Sequence, residues 1–264
     1  MHCRKFAPIF FALTGLTLNA QTSAPPANWF AVAKTNRPAI YHERWIDFNK
    51  NGREDVFEDP SQPVDKRVED LLSQMSVEEK TCQLATLYGY GRVLKDPLPT
   101  PAWTNEIWKD GVANIDEMHN GVGPSGNADN PHIATPAATV RALNEVQRWF
   151  IEETRLGIPA EFTDEGVRGA AYRKTVNFPA DIGLGATWDR DLISHIGDVV
   201  GREAKAIGYR NVYAPILDLA RDPRWGRVLD CYGEDPYLVS ELGIRMTRAI
   251  QARGEISTDR KSVV

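Results

Sequence analysis

The sequence predicts an α/β fold built on a parallel sheet, either open or closed into a barrel. Three observations carry this expectation. Short apolar runs alternate with longer stretches of helical periodicity, the helical stretches have readable starts and stops, and the densest polar clusters follow the apolar runs. In parallel α/β folds the chemistry collects at the carboxyl ends of strands, so the third observation also points to where a site would lie.

Composition sets the outer limits. The chain has 264 residues, with 36 Asp plus Glu against 31 Lys plus Arg and a formal net charge of -5. This acidic balance argues against a nucleic-acid partner. At 42% hydrophobic and 25% charged residues, collagen, coiled coil and wholesale disorder are excluded. Three cysteines cannot build a disulfide framework, and Cys82 and Cys231 stand in no metal-ligand spacing.

The elements follow in order. His2, Arg4 and Lys5 precede an uncharged apolar run from Phe6 to Leu18, and Ala20 offers a small residue for cleavage, so residues 1–20 read as a secretory signal peptide. The run is shorter than the roughly 20 residues of a spanning helix. An exported protein, periplasmic or secreted and free of the membrane, is therefore expected. Residues 21–60 read as a leader, with order beginning near Ile40. Val64, Val68, Leu71, Leu72 and Met75 recur at helical spacing, and Ser76 with Glu79 makes a capping box for a second helix.

Beyond a Pro-rich loop (Pro97, Pro99, Pro101), strands are expected at 112–115, 158–162, 183–186 and 211–214. One helix between them has Thr135 as cap, Pro136 at its first position, a buried face of Ala142, Leu143, Val146, Trp149 and Phe150, and Gly157 as its stop. The next runs from Asp189, its cap, to Gly208, with Leu192, Ile196, Val199, Val200 and Ala204 inward. The last starts at Asp235-Pro236, buries Leu238, Leu242, Met246 and Ile250, and stops at Gly254.

The polar clusters are Asp116 and Glu117, then Asp164 and Glu165 with Arg168, then Thr187, Trp188 and Asp189, then Asp218 followed by Arg221 to Arg227. Arginine forks, carboxylates and the aromatics Trp225 and Tyr232 suit a polyhydroxylated ligand, whose hydroxyls take paired hydrogen bonds and whose faces stack on rings. A phosphate site would want a Gly-rich loop at a helix start, and none is visible. The competing reading is structural: Asp222 pairs with its neighbours Arg221 and Arg224, Asp189 caps a helix, and Trp188 is core.

The segments Phe178-Pro-Ala-Asp-Ile-Gly-Leu-Gly-Ala-Thr-Trp-Asp189, Ala214-Pro-Ile-Leu-Asp218 and Arg221-Asp-Pro-Arg-Trp-Gly-Arg227 through Gly233-Glu-Asp-Pro236 resemble, in order and spacing, the amino-terminal domain of family 3 glycoside hydrolases. The resemblance covers residues 63–254, and the 87–92 stretch looks most like bacterial β-glucosidases. It implies a (β/α)8 TIM-barrel-like domain, of which about the first half is present, and exo-acting, retaining hydrolysis of β-linked glycosides. It further implies that Arg227 and Glu165 bind hydroxyls of the terminal sugar of a β-glucoside or oligosaccharide, with Asp230 and Tyr232 candidates from the same loop. Retaining hydrolysis needs two carboxyl groups. The family's nucleophilic Asp in a Ser-Asp-Trp segment, its Glu acid/base and its Lys-His pair have no counterpart here, so no catalytic residue is assigned and the fragment alone is expected to be inactive.

Asp47, Asn49, Asn51, Asp55 and Glu58 fit a twelve-position calcium loop at 47–58, with Gly52 at position six. Pro60 blocks a following helix, so any Ca2+ would be structural, and an ion-free Asn/Asp/Gly turn uses the same residues. Residues 61–254 are thus expected to form a partial barrel. Residues 259–264 can be encoded by DNA similar to a common sequencing adapter, and 255–264 are expected to be a non-native tail. Two other readings stay open: a β-xylosidase or other glycosidase of the same family, and a non-catalytic sugar- or calcium-binding module.

Overall fold

The computed structural model describes residues 35–89, 93, 107–117, 132, 134–170 and 174–259. The expected signal peptide, the Pro-rich loop and residues 260–264 lie outside them. Five strands form one sheet in the order β1 (Thr86–Tyr88), β2 (Asn114–Asp116), β3 (Glu161–Glu165), β4 (Asn211–Tyr213) and β5 (Ile256–Ser257), each parallel to its neighbour. Strand order equals chain order. An open doubly wound sheet would reverse direction partway, so this progression is that of a barrel wall.

The helices keep their expected amino-terminal caps, whereas the stops expected at Gly157 and Gly254 fall earlier, at Thr154 and Ala252. Helix α1 (Val64–Gln74) leads into α2 (Val77–Cys82), whose Ser76 and Glu79 form both halves of the capping box. In α3 (Pro136–Glu153), Thr135 accepts from the Ala138 amide and all five expected residues are buried. Next comes α4 (Asp181–Gly185), then α5 (Arg190–Ile207), capped by Asp189 and closed by Gly208 with φ 105°. In α6 (Pro236–Gln251), Asp235 accepts from the Leu238 amide at 2.7 Å. Helices α5 and α6 approach closely: a Cβ on Gly197 would lie 2.9 Å from both the Met246 carbonyl and the Ala249 Cβ.

Alternation sorts the strand residues. Ile115, Phe162 and Val212 face the helices and join one core with α3, α5 and α6. Asn114, Glu161, Thr163 and Asn211 occupy the other face. There Glu161 accepts from the Asn114 and Asn211 amides at 2.9 and 3.0 Å, and Thr258 donates to Asn211 at 2.8 Å.

Several expectations are corrected. Residues 183–186 are not a strand, because Asp181–Gly185 is a short helix; a brief apolar run flanked by Gly does not distinguish the two. The strands expected at 112–115 and 158–162 sit two to three residues later, so Asp116, Asp164 and Glu165 lie within strands rather than after them. Strands β1 and β5 were not anticipated. Residues 255–259, within the expected tail, are ordered against the sheet: Ile256 and Ser257 pair with β4, and Asp259 accepts from the Leu217 amide at 3.0 Å. Nor is order delayed to Ile40, since Thr35 already bonds to Glu152 at 2.6 Å. The apolar side of α1 stays largely exposed, with Val64 at 69%. Leu192 is exposed, Ile193 taking the inward place, and Val199 is only half-buried.

Candidate sugar-binding site

At the carboxyl end of the sheet, the face away from the helices carries a polar row: Asp116 on β2, Glu165 on β3 and Tyr213 on β4. Tyr213 donates to Asp116 at 3.1 Å across the intervening strand. Glu165 is half-buried in that row. Its neighbour Asp164 turns to the helix side, where it is fully buried and accepts from the Tyr209 hydroxyl at 2.7 Å and from the Glu165 amide at 2.8 Å. Asp164 thus fixes the end of β3 from behind.

Two loops meet over this end. Arg168, three residues beyond Glu165, donates to Asp230 Oδ1 at 3.0 Å, while Arg227 reaches Asp230 Oδ2 at 2.5 Å. One carboxylate therefore holds two guanidiniums, and Arg168 and Arg227 keep about half and a third of their side chains in solvent. Two cations against one anion leave net positive donor capacity for neutral hydroxyls or a carboxylate.

The loop after β4 is braced internally. The Ala220 amide bonds to the Gly233 carbonyl at 2.9 Å, and Asp222 caps the turn Pro223–Trp225 while gripping Arg224 at 3.0 and 2.7 Å. Of the two structural partners expected for Asp222, this is Arg224; Arg221 instead lines the neighbouring cleft. A cleft of about 840 Å³ opens beside it, walled by Asp218, Arg221 and the half-buried Trp225.

The remaining candidates separate. Tyr232 is 1% exposed and packs in the core, so it offers no ring face to a ligand; this corrects the expected role. Burial, and then Asp181, push its hydroxyl well above its ordinary range. Trp188 is not core but 68% exposed, with φ 56°, at the turn into α5. Cys231 is buried and its thiol is pushed up to about 12 by burial, then by Asp218, Asp230 and Asp181. Sequence reasoning passed over Tyr213 and Asp181. The first was legible as an aromatic at a strand end; the second stood in the 178–189 segment that carries the family resemblance, but nothing local distinguishes a buried acid there from an exposed one.

Residues 47–58 form a closed loop. Asp47 accepts from the Asn51 and Gly52 amides at 3.0 and 2.8 Å, Glu58 from those of Asn49 and Asp55 at 3.3 and 3.0 Å, and the Asn49 and Asn51 side chains both donate to Asp55 at 2.6 Å. Among the described residues no group of three or more His, Cys, Asp or Glu is arranged around a metal position.

Comparison with known proteins agrees with the geometry. The profile of the glycosyl hydrolase family 3 N-terminal domain matches residues 77–261. A putative β-xylosidase of Formosa agariphila is 31% identical over 74% of this chain and 25% of its own length. A periplasmic β-glucosidase of Salmonella typhimurium is 32% identical over 76% of this chain and 22% of its own. Among solved structures, a β-glucosidase mutant from Listeria innocua in complex with laminaribiose superposes with a TM-score of 0.55 at 27% identity, covering 72% of this chain and 24% of that one. The chain thus spans about a quarter of the length of these relatives.

Proposed function

This chain belongs to glycosyl hydrolase family 3, and on that premise we propose that it forms part of the sugar pocket of an exported, exo-acting, retaining β-glycosidase of β-glucosidase type. The Arg168–Asp230–Arg227 bridge above the Asp116, Glu165 and Tyr213 row carries this reading. In it, Arg227 and Glu165 hold hydroxyls of the terminal sugar, Asp230 orients Arg227, and the residues that do covalent chemistry are not among those assigned here. A periplasmic relative supports the exported location, and among the described residues no helix is long and apolar enough to cross a membrane.

Calorimetric titration with laminaribiose tests it. Binding is expected, and Arg227→Ala is expected to weaken it about tenfold or more, the consequence of losing a charge-assisted hydrogen bond of roughly 1.5–3 kcal/mol. Equal affinity in Arg227→Ala would remove the role of Arg227. The β-xylosidase relative favours a second reading, in which methyl β-xyloside binds more tightly than methyl β-glucoside.

The loop at 47–58 supports a further proposal, a structural Ca2+ clamp. Asp47, Asn49, Asn51, Asp55 and Glu58 share one loop, and rotated Asn amides would present oxygen to an ion. Calcium is expected to raise the melting temperature of the chain and not of Glu58→Gln. An absence of calcium heat in calorimetry would end the proposal.

A further inference from the structure

We propose that Asp181 is a positioning residue of the sugar site, held as an uncharged acid beside the Arg168–Asp230–Arg227 bridge so that the bridge keeps its net positive charge toward the ligand. This rests on the sugar-binding reading above. Asp181 opens α4 and is 0% exposed, and neither of its carboxyl oxygens has a hydrogen-bond partner among the described residues. Helix α4 packs on the turn Val228–Asp230 that follows Arg227. The approach is main chain on main chain: a Cβ on Gly185 would lie 1.8 Å from the Tyr232 carbonyl oxygen. Asp181 therefore cannot draw away from the loop without parting the two segments.

The charged and titratable groups facing it are Asp230, Arg168, Tyr232 and Cys231, and Cys231 in turn faces Asp218 and Arg227. A carboxylate buried here without a donor is strongly disfavoured, and Asp230 adds like-charge repulsion. Burial, then Asp230, push the Asp181 acid up to about 8, with Arg168 opposing. A carboxyl group so buried, without a donor and beside Asp230, is expected to keep its proton at neutral pH. When it ionises, a second anion stands beside Asp230, competes for Arg168 and cancels the positive charge that the bridge offers to sugar hydroxyls.

Asparagine matches the neutral acid in shape and cannot ionise, so Asp181→Asn separates the two states. Laminaribiose is uncharged and brings no titration of its own. Wild type is expected to lose roughly tenfold in affinity between pH 7 and pH 9, whereas Asp181→Asn keeps its neutral-pH affinity throughout. Thermal unfolding gives an independent reading. The unfolded Asp ionises near 3.9 while the folded one holds its proton to about 8, so wild type loses stability as pH rises between those values. That part of the slope is expected to vanish in Asp181→Asn, and also in Asp181→Ala at a lower overall melting temperature. Laminaribiose binding with parallel pH profiles in wild type and Asp181→Asn overturns the positioning role alone, as do parallel unfolding profiles. No binding by wild type at any pH overturns the sugar reading and this role with it.

Discussion

Glu152, 1% exposed near the end of α3, accepts from the Thr35 hydroxyl at 2.6 Å, the Asn36 amide at 3.1 Å and the Tyr41 hydroxyl at 3.1 Å. Burial and Glu152 together push the Tyr41 hydroxyl up to about 12. One side chain thereby ties the leader to the body across more than a hundred residues of sequence. Glu152→Ala removes all three bonds at once, and a hydrogen bond to a charged group is worth about 1.5–3 kcal/mol. Hydrogen exchange is expected to speed up over residues 35–48 in this variant while α5 and α6 keep their protection. Faster exchange spread evenly over the whole chain would contradict a local tie. Glu152 was invisible in the sequence because its partners come from a segment read as unpacked leader, whereas Thr135, Asp189 and Asp235 were legible as caps because capping is settled within three residues.

At the scale of elements, the α5–α6 contact depends on the absence of a side chain at Gly197. A Cβ there meets main-chain oxygen and Ala249 at 2.9 Å, so Gly197→Val overpacks the contact at about 1–3 kcal/mol. Gly183 in α4 is the control, since its nearest neighbour to an added Cβ is 4.0 Å away, and Gly183→Ala is expected to change stability by less than about 0.5 kcal/mol. Chemical denaturation of both variants checks this, and equal losses would mean that the close approach is not what limits Gly197. Helices of sixteen to eighteen residues revealed themselves through periodicity. Strands of two or three residues, such as Thr86–Tyr88 and Ile256–Ser257, are too short to show an alternation, and a five-residue helix rich in Gly looks like a strand.

Across the whole molecule, the sequence made the class of fold and the loop of the site legible but not how the site is layered. Arg227 and Asp230 stand together in the one loop to which the resemblance assigned them, while the link from Arg168 to Asp230 joins two loops about sixty residues apart that nothing local announces. Tyr232 misled because an aromatic near an arginine motif looks like a stacking platform whether it faces the ligand or the core; only burial decides.

The polar face of the sheet has one more consequence. Main-chain bonding between parallel strands is indifferent to a shift of one residue, yet such a shift in β3 would send Glu161 among Leu143, Phe150 and Val212 and put Phe162 in its place. Because Glu161 is held by asparagines from the strands on both sides, it works as a key cut for a single alignment: a misthreaded β3 would meet two empty locks and a charge in hydrocarbon.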